Sequence, residues 1–88
     1  MRRVLTTLFF AGFASTALAG PQCTTEPKDN WLGETEMRVL IQDLGYTIDV
    51  FKTTGGNCYE IYGRTAEGKR VEVYFHPISG DVMKVEEL

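Results

Sequence analysis

The apolar pattern of this chain changes period at Gly45, and that change decides what the chain can build. Before it, Met37, Leu40, Ile41 and Leu44 recur at i, i+3, i+4 and i+7, the stripe of an amphipathic helix. After it, apolar residues alternate: Tyr46, Ile48 and Val50, then Val71, Val73 and Phe75. Alternation is the period of a half-buried strand. One helix followed by a run of strands gives an α+β layer, with the helix lying across an antiparallel sheet.

The punctuation agrees with that division. The helix occupies Trp31 to Gly45, with Gly33 as N-cap and Glu34 and Glu36 in the first turn, where the helix dipole favours anions. Leu32 can staple onto Met37, and Gly45 supplies the left-handed residue that stops the helix. Strands follow at Tyr46–Lys52, Cys58–Arg64, Arg70–Phe75 and Asp81–Glu86, separated by Thr53–Asn57, Ala66–Gly68 and Pro77–Gly80. The last is the shortest and reads as an edge strand, with Lys84 in keeping with that position. The expectation is one N-terminal helix packed on a three- to four-stranded antiparallel sheet. Tyr59, Ile61, Val71, Val73 and Phe75 should then meet Met37, Leu40, Ile41 and Leu44.

Residues 1–19 read as something else. Arg2 and Arg3 precede the apolar run Val4–Ala14, and Ala17-Leu18-Ala19 follows. This is the charged, apolar and A-x-A order of a secretory signal peptide, and the run is too short to span a bilayer. Cleavage after Ala19 would leave 69 of the 88 residues, with Gly20–Asn30 as a polar extended arm and 31–88 as the domain. Pro21, where a lipobox would need cysteine, argues against a lipid anchor. The expected location is the periplasm or the medium, without membrane insertion. Loss of Arg2 and Arg3 leaves seven basic residues against twelve acidic ones, a net charge of −5. Such a surface suits neither nucleic acid nor anionic lipid, and a solvated monomer is expected.

A domain this small often needs a staple. In an oxidising compartment the two cysteines, Cys23 and Cys58, allow one pairing, and a structural disulfide between them is expected. Zinc would need four ligands, and these cysteines with the single histidine, His76, fall short. No catalytic set assembles around His76, whose neighbours Phe75 and Pro77 are neither nucleophile nor acid. Alternation places Glu60, Tyr62, Glu72 and Tyr74 on the outer sheet face, with Cys58 in the same register. Two tyrosines framed by acids suit a contact patch for a protein partner. Cross-strand tyrosine pairs on a wet face are the plainer alternative. A third is that the arm, tied through Cys23 to Cys58, covers part of the face itself. Glu60 and Glu72 also read as paired carboxylates, although an open sheet face would leave them solvated.

The second half, C-Y-E-I-Y-G-R-T-A-E-G-K-R-V-E-V-Y-F-H-P-I-S-G-D-V, resembles a PepSY domain. Tyr59-Glu60, Gly68, Val71-Glu72-Val73-Tyr74, Pro77 and Gly80 follow that family's order, as does the helix ending Leu44-Gly45-Tyr46. His76 departs from it by standing where aspartate usually precedes proline, and Ser79 replaces the usual threonine. The resemblance implies a non-catalytic exported module without a cofactor. It also implies a role in binding or restraining an exported peptidase or another envelope protein. A stand-alone structural or ligand-sensing protein is the alternative.

Overall fold

A computed structural model describes residues 20–88, and the leader expected at 1–19 lies outside the described residues. After a 3-10 turn at Lys28–Asn30 come α1 (Glu34–Asp43), β1 (Thr47–Thr53), β2 (Tyr59–Arg64), β3 (Arg70–Phe75) and β4 (Val82–Glu87). The four strands form one antiparallel meander in the order β1-β2-β3-β4. The fold is α+β, one helix on a four-stranded sheet. Among the described residues no helix is long and apolar enough to cross a membrane.

Both helix ends form as the residues dictate. The Gly33 N–H donates to Glu36 Oε1 at 3.2 Å, which satisfies one of the donors a helix start leaves free. At the other end Gly45 takes φ +100°, its N–H donating to the Gln42 carbonyl and that of Tyr46 to the Ile41 carbonyl. This is a Schellman closure, which only a residue tolerant of positive φ makes cheaply.

The core is a single layer. Met37 and Ile41 of α1 press on Tyr59, Ile61, Val71, Val73 and Phe75, all buried. Trp31, Leu32, Leu40, Tyr46, Ile48 and Phe51 close its rim. Trp31 stands edge-on to Tyr59 at 5.4 Å, and the Tyr59 hydroxyl donates to the Leu32 carbonyl at 2.7 Å. The residues before α1 therefore cap one end of the core, a role their sequence position alone does not announce.

Two apolar positions depart from the expected pattern. Leu44 is 53 % exposed because it is the helix C-cap, one turn beyond Ile41. The chain reversal at Gly45 brings Tyr46 to the core instead, edge-on to Phe75 at 6.3 Å. In β1 a bulge between Ile48 and Val50 inserts Asp49 and flips the alternation. Phe51, opposite Ile61, turns to the core, and Val50, opposite Tyr62, is left 48 % exposed on the outer face. Gly63 permits this geometry, since a Cβ there would collide with the Thr47 carbonyl oxygen.

Candidate functional site: the outer sheet face and its arm

Strand register brings all four expected contact residues together. Glu60 lies opposite Tyr74 and Tyr62 opposite Glu72, so the two acids are diagonal neighbours on one face of β2 and β3. Their surroundings divide them. Glu60 and Tyr74 are each only 3 % exposed, whereas Tyr62 and Glu72 are half-buried.

The cover of Tyr74 is the N-terminal arm. A disulfide joins Cys23 to Cys58 with the Cα atoms 5.2 Å apart. The Cys23 N–H donates to the Gly56 carbonyl at 2.9 Å, and Asn57 Nδ2 donates to the Thr24 carbonyl at 3.1 Å. Beyond the staple, the Pro21 carbonyl rests on Gly56, and Gly20 lies directly on the Tyr74 ring. Because Cys58 shares the register of Glu60, a bond to it obliges the arm to run across this face. The expectation of an open, solvated face is therefore corrected for Glu60 and Tyr74.

Burial changes the chemistry of the acids. Loss of solvent, and then the hydrogen bond and charge of Glu72, push Glu60 from 4.5 up to about 7, against a weak opposing pull from Lys52. The hydrogen bond from Glu60 holds Glu72 below its ordinary range, helped by the Tyr74 and Tyr62 hydroxyls and opposed by burial. Of the two acids, Glu60 is the one whose protonated form this site favours. Glu60 Oε2 is buried and has no hydrogen-bond partner among the described residues. The Tyr74 hydroxyl donates to Glu72 Oε2 at 2.9 Å. Burial, and then that acceptor, raise the Tyr74 phenol. Lys52 Nζ stands 3.9 Å from Glu60 Oε1 and 5.3 Å from the centre of the Tyr62 ring. Lys52 escaped the sequence reading because the bulge, not simple alternation, sets its face.

A measurable consequence follows from linkage. The folded-state value of Glu60 lies above its free value, so its contribution is whole below about pH 4.5 and is lost as pH rises towards 7. Glu72 has the opposite sign, and its contribution is lost only as pH falls through its lowered value. Glu60→Gln keeps a donor towards Glu72 but cannot ionise. The variant should be more stable than the parent at about pH 8 and close to it at about pH 5 in urea unfolding. An identical pH slope in both proteins would refute the raised Glu60 value.

The family model described as peptidase propeptide and YPEB domain matches residues 3–86, nearly the whole chain. This chain belongs to the PepSY family. No curated protein and no solved structure matches it. PepSY membership covers the arm, the helix and all four strands, so the disulfide-tied cover and the acid pair lie within the matched region.

The departure at His76 also finds its explanation in this PepSY protein. His76 Nδ1 accepts the Ile78 N–H at 3.2 Å and the Ser79 N–H at 3.3 Å. Ser79 Oγ accepts the Asp81 N–H at 3.2 Å, and the His76 backbone bonds both Asp81 and Gly80. The imidazole thus does what a carboxylate does in an Asx turn, accepting backbone donors just ahead of it. His76→Asp should keep the turn, and His76→Ala should cost about 1 kcal/mol by orphaning two donors. Thermal unfolding of the pair tests this; equal losses in both variants would mean the acceptor is not what matters. Among the described residues, no group of three or more histidine, cysteine, aspartate and glutamate side chains could hold a metal ion.

Proposed function

We propose that this PepSY-family protein is exported, loses residues 1–19, and acts in the periplasm or medium as a non-catalytic module. In this reading it binds and restrains a peptidase or another envelope protein. The family description, which names a peptidase propeptide, supports the class of partner. The leader-like residues 1–19 and the acidic remainder support the compartment.

The observation that carries the reading is the strip of outer sheet face the arm leaves open. Val50 and Tyr62, directly opposed, form its centre, with Lys52 and Glu72 beside them. An aromatic and an aliphatic side chain ringed by charges is the composition of a contact hot spot. Tyr74 and Glu60 stand behind this strip as its support rather than as contacts.

The test uses the oxidised protein, expressed with its own leader, against the exported peptidases of its host. Inhibition or stoichiometric complex formation is expected. Tyr62→Ala should weaken the complex by about 1 kcal/mol or more, with stability changed far less. Tyr74→Ala should instead lower stability first. Failure to bind or slow any exported peptidase, or binding indifferent to Tyr62, would overturn the assignment.

A further inference from the structure

We propose that the free edge of β4 pairs with β4 of a second copy, joining two four-stranded sheets into one across a two-fold axis at Val85. This partner replaces the monomer expected from the sequence and is independent of any peptidase.

Each edge strand carries a bulge, β1 at Asp49 and β4 at Met83, and beyond Met83 the residues Lys84–Glu87 keep regular register with β3. All six residues of β4 are exposed, among them Val82, Met83 and Val85 at 42–47 %. The helix packs towards β1 and leaves β4 without cover. The Leu88 N–H donates inward to the Arg70 carbonyl at 3.1 Å, and Lys84 and Glu86 share its phase in the ladder with β3. In an antiparallel ladder alternate residues point their backbone groups opposite ways. Val85 and Glu87 therefore turn N–H and C=O outward, with no strand beyond them among the described residues.

That phase restricts how a second β4 can add, because outward residues must face outward residues. With Val85 opposite Val85, Lys84 faces Glu86 of the second copy, and by symmetry Glu86 faces its Lys84. Lys84 Nζ lies 3.5 Å from Glu86 Oε2 within one chain, so both side chains already occupy the outer face. Shifting the axis to Glu86 opposes glutamate to glutamate, and shifting it to Lys84 opposes lysine to lysine. Directly opposed like charges destabilise a strand pair and unlike charges stabilise it. The run Lys84-Val85-Glu86 is thus self-complementary in one register and repulsive in both neighbours. On the helix side, Val85, which already faces Val73 of β3, gains a second apolar neighbour.

Sedimentation equilibrium of the oxidised protein, expressed with its own leader, should show a reversible monomer–dimer equilibrium. Lys84→Glu and Glu86→Lys should each raise the dissociation constant about tenfold, since each turns two attractions into two repulsions. An equimolar mixture of the two variants should regain dimers, because a mixed pair opposes glutamate to lysine at both positions. The double variant carrying both changes should also regain them. A protein that stays monomeric at every concentration overturns the proposal. So does a dimer indifferent to Lys84→Glu, or single variants whose mixture does not recover.

Discussion

Phe75→Ala is expected to cost about 3–5 kcal/mol, the usual range for emptying a fully buried aromatic site. Phe75 is wholly buried, and it is the point where several parts of the fold meet. It lies opposite Tyr59 on β2 and Val82 on β4, and it takes the edge of Tyr46 after the helix reversal. The core is one layer thick, so no second shell can collapse into the space. Native domains hold roughly 0.05–0.15 kcal/mol per residue, which leaves a 69-residue domain a few kcal/mol to about ten in all. Urea unfolding should therefore show a variant at the margin of folding. A loss under about 1 kcal/mol would mean that the layer can repack, and that the contacts around Phe75 do not govern stability.

Removing the disulfide ranks second. Cys23 and Cys58 are separated by 35 residues, and the chain-entropy account gives about 4 kcal/mol for a loop of that size. Cys58→Ser should lose about 2–4 kcal/mol, since measured losses tend to fall short of the entropic figure. The change should also be local in a way that a core mutation is not. With the staple gone, Gly20 and Pro21 are held against Tyr74 and Gly56 only by packing and by the Cys23–Gly56 and Asn57–Thr24 hydrogen bonds beside them. Nitration of Tyr74 by tetranitromethane, slow in the oxidised parent, should become fast in the variant. Destabilisation without a change at Tyr74 would show that the arm keeps its place unaided.

The helix, its caps and the four strands were legible because each rests on local chemistry: a period, a glycine at a reversal, a turn composition. Even the shared face of Glu60, Tyr62, Glu72 and Tyr74 followed from alternation, although which of them stand opposite each other did not. What escaped was set by distant backbone. Val50 and Phe51 exchange faces because Asp49 is inserted between the Ile48–Gly63 and Val50–Tyr62 pairs, and a strand pattern read alone cannot reveal an extra residue in its pairing. Leu44 belongs to the helical stripe by angle but lies past the last turn with a core beneath it. Tyr74 looked exposed because its cover, Gly20, comes from far earlier in the chain. That cover was foreseeable only through the cysteines, since a bond into the register of Glu60 leaves the arm nowhere else to run. The use of His76 as an acceptor needs the turn's geometry.

The arm can also be viewed as a ligand that the sheet carries with it. Residues 20–22 hang from Cys23 by a few bonds, so their effective concentration over Tyr74 is of the millimolar order typical of short tethers. A molecule seeking the Glu60–Tyr74 floor must outcompete that tethered occupant, so weak binders are excluded without any change of fold. One seeking only Val50 and Tyr62 meets no such competitor. Reduction of a single bond would abolish the distinction, so the oxidation state of Cys23 and Cys58 sets how selective this face is as well as how stable the domain is.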